Sequence, residues 1–285
     1  MQFYKRIWRM PIGLGIAIGL LIVIVAFLGL TIQPSTAQSS AGTQLHWYGQ
    51  SAYKLTTPSG KVLLLDPWIK NPGNPTGETD LAKLDKVDLI LVTHGHGDHV
   101  GDAVAIARKT QAKLVTTFDL GNALVQHNGY PKDLVPFETQ GNFGGELTFF
   151  NGEVKVAFIP AVHSSSVATD GNPTNYAGNP GGFLVSVRNG PVIYHTGDTD
   201  LFADMSLIPR FRKVTLMLAC IGDKFTMGPD RAAEAVKLVQ PDQVIPMHYG
   251  LFNLPGTPSA FASALKRQRV KSQLRVMKIG ETIRL

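Results

Sequence analysis

The chain has 285 residues, of which 44% are hydrophobic and only 17% charged, and this composition excludes an intrinsically disordered chain. The single cysteine excludes an intramolecular disulfide framework and a cysteine-rich zinc or iron–sulfur site. The net charge of +6 falls to +3 without residues 1–37, which hold three basic and no acidic residues, and so mild a charge predicts no nucleic-acid partner.

Residues 1–37 have the composition of an export or anchoring segment. The 19 residues from Ile12 to Leu30 are uncharged and follow a basic start. Small residues precede a possible cleavage point after Ala37, and an apolar run of this length could also span a bilayer, which needs about 20 residues. The segment is therefore predicted to be either a signal peptide or an N-terminal membrane anchor. The protein is accordingly expected to be exported, and to be periplasmic or anchored to the membrane facing outward.

The rest of the chain alternates short apolar runs with turn residues. Residues 38–43 are small and polar and are predicted to be a linker, and residues 44–285 a single domain. Two β-hairpins are predicted, at Leu55–Thr57 with Val62–Leu65 and at Phe183–Val187 with Val192–Tyr194. Further strands are predicted at Val87–Thr93, Leu114–Thr117, Val154–Ala161, Leu216–Ala219 and Val244–Ile245.

Helices are predicted at Val100–Lys109, Pro229–Val239 and Ser259–Lys266, the last with Ser259 as its N-cap. Hairpins followed by strands mixed with helices favour an α/β (α+β) fold, with two sheets and helices packed outside them. The segment Gly171–Gly182 is rich in glycine, proline and asparagine, and this composition predicts a loop near the site.

Metal-ligand residues follow several of the predicted strands. His94, His96, Asp98 and His99 lie within six residues directly after the strand that ends at Thr93. Imidazole and carboxylate groups are good ligands for divalent ions of intermediate softness. Further candidates at other strand ends are His163, His195, Asp198 and His248. The sequence therefore predicts a metal site at one edge of the sheets.

The segment Thr93–His99 resembles the H-x-H-x-D-H motif of the metallo-β-lactamase-fold superfamily. The segments Trp47–Gly49, Leu65–Pro67, Ile221–Asp223, Phe225–Pro229 and Pro246–Gly250 resemble one subgroup of it, the uncharacterised metal-dependent hydrolases. That subgroup is similar to sugar-phosphate lactonases and to N-acyl phosphatidylethanolamine phospholipase D type enzymes. The resemblance covers about residues 44–285. It implies a four-layer αββα sandwich with the site at one edge of the two sheets.

The resemblance also implies a centre of two divalent ions, with zinc as the first choice and manganese or iron as alternatives. The ligands carried over to this chain are His94, His96 and His163 for one ion, Asp98, His99 and His248 for the other, and Asp198 as the bridge. Asp98 would also be the catalytic residue. A hydroxide shared by the ions would cleave an ester, lactone or phosphodiester of a small molecule, with an anionic substrate favoured. Two alternatives stay open, a mononuclear iron dioxygenase and a non-catalytic metal-binding module.

Four further residues lie outside the set of predicted metal ligands. Asp66 is predicted either to orient a ligand histidine or to be an ordinary turn residue, and His195 to support the Asp198 turn by a hydrogen bond. Gln50 stands where the subgroup often has histidine, which affects substrate positioning or proton transfer and leaves metal binding intact. Cys220 is predicted to be a buried, unreactive thiol. No oligomeric state is predicted from the sequence.

Overall fold

The computed structural model describes residues 42–169 and 172–285. By its contacts the chain divides into the units Met1–Ser39 and Ser40–Leu285, and the description below concerns the second. The segment 1–37, which was predicted to be a signal peptide or an anchor, lies outside the described residues. The predicted linker and domain boundaries stay predictions.

Sixteen strands lie within the described ranges. In chain order they are β1 Gln44–Gly49, β2 Ala52–Thr56, β3 Val62–Leu65, β4 Leu89–Leu91, β5 Lys113–Thr117, β6 Gln140–Gly141, β7 Glu146–Phe149, β8 Val154–Pro160, β9 Ser166–Thr169, β10 Asn172–Tyr176, β11 Gly181–Val187, β12 Val192–His195, β13 Leu216–Cys220, β14 Gln243–Met247, β15 Gln273–Leu274 and β16 Thr282–Arg284. Both predicted hairpins are present as antiparallel pairs, β2 with β3 and β11 with β12.

The helices are mostly short. They are α1 Gly77–Ala82, α2 Gly97–Val100, α3 Ala103–Thr110, α4 Phe118–His127, α5 Ile208–Phe211, α6 Pro229–Val239 and α7 Pro258–Arg267, with 3₁₀ turns at Lys132–Leu134, Phe137–Thr139, Phe150–Gly152 and Ala203–Leu207. The bounds predicted for α6 are confirmed. The predicted N-cap of α7 is wrong, because the hydroxyl of Thr257 accepts the hydrogen bond from the Ala260 amide and Ser259 lies inside the helix.

Two seven-stranded sheets form the centre of the domain. The first has the order β16-β1-β2-β3-β4-β5-β6 and the second the order β15-β14-β13-β12-β11-β8-β7. Side chains of both sheets, among them Leu55 and Val185, share one buried cluster, which α6 and α7 join through Val236 and Phe261. A second cluster lies between the first sheet and the helices α3 and α4. Helices therefore cover the outer faces of two stacked sheets, and the predicted αββα sandwich is confirmed.

The helix predicted over Val100–Lys109 is interrupted at its start. Gly101 separates α2 from α3 with a φ of 41°. A Cβ atom at Gly101 would lie 2.5 Å from the Cα of Trp68, so no other residue fits there without moving the backbone. The amide of Asp102 also donates to the carbonyl of Pro67. The chain after β3 thus fixes the position of α2, which carries part of the candidate site.

The loop predicted over Gly171–Gly182 is partly wrong. Strand β10 pairs with β9 in an antiparallel hairpin, in which Asn175 is opposite Val167. Gly181 and Gly182 begin β11. Cross-strand pairing outweighs the loop-like composition of this segment.

The localisation predicted from the sequence also needs correction. In the part of the chain that the structure describes, no helix has the length and apolar character to cross a membrane. The prediction that the protein is exported, and is periplasmic or membrane-anchored, was based on residues outside that part. The prediction is therefore withdrawn.

Candidate metal centre

Strand ends of both sheets supply the residues of the centre. In the first sheet Asp66 directly follows β3, and His94 stands three residues after β4. In the second sheet Asp198 stands three residues after β12, and His248 directly follows β14. The strands β3 and β4 run parallel, as do β12, β13 and β14, so their carboxyl ends lie at one edge of each sheet. The predicted edge-of-sheet location is therefore present.

Three imidazoles form a group that we call the histidine cluster: His94, His96 and His163. The Nε2 atom of His94 lies 3.0 Å from Nδ1 of His96, and Nε2 of His163 lies 3.3 Å from the same Nδ1. His94 is buried, whereas His96 and His163 are partly exposed. Three ring nitrogens from two segments of the chain thus converge on one point.

Four residues form a second group, which we call the mixed cluster: Asp98, His99, Asp198 and His248. The Nε2 atom of His248 lies 2.9 Å from Oδ2 of Asp198 and 3.3 Å from Oδ2 of Asp98. The Nε2 atom of His99 lies 3.2 Å from Oδ1 of Asp198. The side chain of Asp98 is 19% exposed and that of Asp198 only 4%, so Asp98 is the carboxylate with access to solvent.

Asp198 lies between the two clusters. Its Oδ2 atom is 3.7 Å from Nε2 of His163 in the histidine cluster, while both of its oxygens face imidazoles of the mixed cluster. All seven residues predicted as ligands therefore lie together.

Burial and charge shift the pKa values of the two clusters in opposite directions. Burial lowers the pKa of His94 well below its ordinary value, and burial likewise lowers the pKa values of His96 and His163. In the mixed cluster burial also disfavours charge, but the Asp198 carboxylate outweighs it and raises the pKa of His248 to about 9.

The remaining groups of the mixed cluster follow the same pattern. Burial lowers the pKa of His99, but the carboxylates of Asp198 and Asp66 outweigh it and raise that pKa well above the ordinary value. Burial raises the pKa of Asp198, and His248 and His99 outweigh it, so the net shift is downward. The pKa of Asp98 is also lowered, because the attraction of His99 and His248 exceeds the effect of burial.

The residues fit a metal ion by two criteria. Within the described residues, Nε2 of His99, Oδ1 of Asp198 and Nε2 of His248 are buried and lack a hydrogen-bond partner of good geometry, which is costly unless a cation satisfies them. In the histidine cluster, separations of 3.0 and 3.3 Å are close to the roughly 3.3 Å between nitrogens on a tetrahedral zinc ion, given Zn–N distances near 2.0 Å. The donor set of imidazoles and carboxylates suits zinc, manganese or iron.

Asp66 orients His99. Its Oδ2 atom lies 2.7 Å from Nδ1 of His99 and accepts the hydroxyl of Thr93, and its Oδ1 accepts the amide of Thr93. A carboxylate on Nδ1 fixes the ring so that Nε2 faces the other ligands, as the outer carboxylates of metal sites do. Of the two roles considered for Asp66, the structure thus favours orientation of a histidine.

His195 belongs to neither cluster. The Gly197 amide donates to its Nδ1, and its Nε2 lies 3.0 Å from the carbonyl of Ser51. These contacts tie the turn before Asp198 to the first sheet, and the supporting role of His195 stays a prediction. Gly197 itself has a φ of 60°, and a Cβ atom there would lie 2.5 Å from the carbonyl oxygen of Gly181.

Two contributions were missed from the sequence. Ser165 accepts the amide of Gly95 and donates to the carbonyl of Ala177, which holds the histidine-rich loop against the residue that follows β10. Gln50 places its Nε2 3.4 Å from Oδ2 of Asp98. The sequence placed Gln50 near the site, but its contact with Asp98 had no signal in the sequence. Gln50 and His248 both have positive φ values, 48° and 57°, and backbone strain of this kind often occurs at functional sites.

Comparison with known proteins identifies the family. The model of a beta-lactamase superfamily domain matches residues 61–249. The chain belongs to this superfamily. A UPF0173 metal-dependent hydrolase of Thermodesulfovibrio yellowstonii is 54% identical over 250 residues, covering 87% of this chain and 94% of the relative. One of an Anaeromyxobacter species is 50% identical over 254 residues, covering 88% and 89%.

Solved structures agree with this assignment. The metallo hydrolase Igni18 of Ignicoccus hospitalis is 33% identical, with a TM-score of 0.73, covering 85% of this chain and 98% of that one. The chain described here therefore belongs to the UPF0173 family and is a metal-dependent hydrolase with a candidate His/Asp metal site. The predicted family and enzyme class are confirmed.

Proposed function

We propose that the centre holds two divalent ions, with zinc as the first choice and manganese or iron as alternatives, and that the protein hydrolyses an ester, lactone or phosphodiester. The ligands of the first ion would be His94, His96 and His163, and those of the second Asp98, His99 and His248, with Asp198 between them. The observation that carries the proposal is the pair of adjoining clusters, of which the mixed cluster contains three buried ligand atoms that lack a hydrogen-bond partner. A mononuclear iron centre would leave one cluster without a role.

Ions bound at these residues would supply a nucleophilic hydroxide near neutral pH and polarise the scissile carbonyl or phosphoryl bond. Asp98 is the catalytic residue in this proposal, because it is the carboxylate with access to solvent. Its contacts with Gln50, His248 and His99 are all made by Oδ2. Oδ1 therefore serves to orient the nucleophile and to accept its proton.

A serine nucleophile is not part of the proposal. The hydroxyl of Ser164 lies 3.4 Å from Nε2 of His96. With an ion bound at Nδ1 of His96, Nε2 would carry the proton and donate to Ser164, so this ring would not act as a base toward the serine. The contact orients His96 in the way that a hydrogen-bond partner commonly orients a ligand histidine.

The charge of the loaded centre favours a small anionic substrate. Two dications carry four positive charges, and the carboxylates of Asp98 and Asp198 offset only two of them. The remaining positive charge would attract a phosphodiester or an acidic lactone.

A substrate panel with and without dissolved oxygen tests the proposed function. The panel contains an aryl ester, a lactone and bis(p-nitrophenyl) phosphate. We expect turnover that is independent of oxygen, is abolished by a chelator and returns with zinc. Turnover that requires oxygen would contradict the proposal in favour of a dioxygenase. Metal retention without turnover of any panel member would contradict it in favour of a metal-binding module.

A further inference from the structure

Thr93 stands between β4 and the histidine cluster, and its hydroxyl makes two buried contacts. Its Oγ1 atom lies 2.8 Å from Oδ2 of Asp66 and 3.0 Å from Nδ1 of His94. Thr93 is 2% exposed, and both partners are fully buried. The hydroxyl therefore joins a carboxylate outside the ligand set to one of the ligands proposed for the first ion.

A count of protons sets the direction of these two hydrogen bonds. A hydroxyl has one proton to donate, and its oxygen accepts through its lone pairs. Thr93 donates this proton to the Asp66 carboxylate, which can only accept. A lone pair of Oγ1 then faces His94, so the contact of 3.0 Å is a hydrogen bond only if Nδ1 of His94 carries a proton.

The surroundings of Thr93 hold this hydroxyl in place. The Thr93 amide donates to Oδ1 of Asp66 at 2.8 Å, so one carboxylate binds both the main chain and the side chain of Thr93. The Thr93 carbonyl accepts the amide of Gly181. A Cβ atom at Gly197 would lie 3.2 Å from Oγ1 of Thr93, so the turn before Asp198 encloses the hydroxyl on that side.

The tautomer of His94 decides whether this ring can bind an ion. A neutral imidazole carries its proton on Nδ1 or on Nε2, and the hydrogen bond at one nitrogen sets the state of the other. With the proton on Nδ1, a lone pair is free on Nε2, the atom that lies 3.0 Å from Nδ1 of His96 in the histidine cluster. With the proton on Nε2, the ring would present an N–H group to the ion and a lone pair to the oxygen of Thr93.

The contact of His94 with Thr93 is better defined than the matching contact of His96. The hydroxyl of Ser164 lies 3.4 Å from Nε2 of His96, and this contact is exposed. A buried hydrogen bond is electrostatically stronger than an exposed one, and an unpaired buried N–H group is costly. Thr93 should therefore affect metal binding more than Ser164 does.

We propose that Thr93 is a positioning residue for the first ion, because its hydroxyl accepts the Nδ1 proton of His94 and so directs the Nε2 lone pair toward that ion. The inference rests on the proposed function, in which His94 is a ligand of the first ion. Asp66 contacts His99 directly and Thr93 contacts His94, so each ion has a ligand with its own orienting partner.

Metal binding by three variants tests this role. Thr93→Val keeps the branched shape of the side chain and should weaken zinc binding by the first site about 10- to 100-fold, the usual consequence of losing such a partner. Thr93→Ser restores the hydroxyl and should restore zinc binding close to the wild-type level. Thr116→Val is the matched control, since Thr116 is a fully buried threonine of β5 whose hydroxyl donates to the carbonyl of Val92.

Each variant is combined with His248→Ala, which should leave only the first ion bound. Competition for zinc with a chelator of known affinity then measures the first site alone. The control should bind zinc as the His248→Ala parent does.

Nitrogen-15 NMR of the histidine rings measures the tautomer without any reaction. The chain has eight histidines, and the signals of His94 are those that disappear in His94→Gln. We expect the proton on Nδ1 of His94 in the full-length wild type and in Thr93→Ser, both as purified and after treatment with a chelator. In chelator-treated Thr93→Val the preference for Nδ1 should be lost.

The outcomes separate this inference from the proposed function. A proton on Nε2 of His94 in the wild type would overturn the inference even if the protein hydrolyses the panel, and this result needs no variant of Thr93 to fold. First-site binding that Thr93→Val leaves unchanged, or that Thr93→Ser does not restore, would overturn it as well. The expected tautomer together with the effect of Thr93→Val and its reversal in Thr93→Ser would support the inference even if the panel gave no hydrolysis.

Discussion

The histidine cluster and the mixed cluster lie side by side, yet the pKa values of their histidines shift in opposite directions. In the histidine cluster no carboxylate belongs to the group, and burial lowers the pKa values of the three imidazoles. In the mixed cluster the carboxylates outweigh burial and raise the pKa values of His99 and His248. Because metal ligands must be deprotonated, a cation can bind the first cluster directly but has to displace protons from the second. The two clusters should therefore differ in their response to substitution and to acid.

The largest effect is expected at Asp198, which belongs to the mixed cluster and lies next to the histidine cluster. Asp198→Asn should lower turnover by ~10³-fold or more, which corresponds to about 4 kcal/mol of transition-state stabilisation. The amide has one weak ligand oxygen in place of two charged ones, so metal content should fall in both clusters. Steady-state kinetics and elemental analysis of the variant measure the two effects.

Asp200→Asn is the control for that substitution. Asp200 lies two residues away and pairs with Arg231 at the surface, where its Oδ1 lies 2.6 Å from the Arg231 Nε. Exposed ion pairs contribute little, so turnover and metal content should match the wild type. An Asp198→Asn variant that kept both ions and full turnover would show that the clusters do not depend on Asp198.

The next largest effect is expected at Asp66, where a substitution should weaken metal binding in one cluster and leave the other intact. Asp66→Asn removes the charged acceptor from Nδ1 of His99 and should weaken binding of the second ion by about 10- to 100-fold, the usual consequence of losing such a partner. The first ion should be retained, because none of its three ligands contacts Asp66 directly. Asp102→Asn, at a buried carboxylate outside both clusters, is the control. Competition with a chelator of known affinity measures the change, and equal weakening of both sites would contradict the separate roles of the clusters.

Acid should also affect the mixed cluster first. The pKa of His248 is raised from 6.5 to about 9, so binding of the second ion should strengthen as the pH rises toward 9 and weaken below it. Dialysis at pH 9, 7.5 and 6 followed by elemental analysis should show one ion lost before the other. Parallel loss of both ions would contradict the assigned charge difference.

In the chelator-treated protein, the contribution of His248 to the free energy of unfolding should change with pH in the opposite direction to metal binding. A folded pKa above the ordinary 6.5 means that the ion pairs of His248 stabilise the fold fully below pH 6.5 and lose that contribution as the pH rises through about 9. The contribution of His248 to the free energy of unfolding, taken as the difference from His248→Gln in urea titrations, should therefore decrease over this interval. A difference that grew with pH would contradict the assigned shift.

The smallest effect is expected for Cys220, a buried thiol outside both clusters. Burial raises the pKa of Cys220 to about 11, and its Sγ lies 3.6 Å from the carbonyl of Thr199. The native thiol should resist iodoacetamide at pH 8, and Cys220→Ser should change turnover by less than about twofold while costing ~1 kcal/mol of stability. A large loss of turnover with intact metal content would indicate that Cys220 takes part in the chemistry.

The sequence was informative where ligands follow apolar strands. His94 to His99, His163, Asp198 and His248 were all predicted together, because a strand end is a local pattern and the resemblance supplied the order. The orientation of His99 by Asp66 was left undecided, since a contact between residues 33 apart depends on how β3 and β4 pair.

Other features depended on tertiary packing and had no local signal. The break between α2 and α3 follows from the close approach of Gly101 to Trp68, and β10 forms despite a loop-like composition because β9 pairs with it. The contact of Gln50 with Asp98 joins residues 48 apart in sequence. Such contacts follow only from the arrangement of the whole fold.

Metal stoichiometry of the wild type and of His248→Ala tests the central claim most directly. The account predicts about two ions per chain in the wild type and about one in the variant, because His94, His96 and His163 remain intact. His127→Ala, at a partly exposed histidine in the last turn of α4, should keep about two. A folded wild type with one ion or none, or a His248→Ala variant that loses both ions equally, would contradict the two-cluster account.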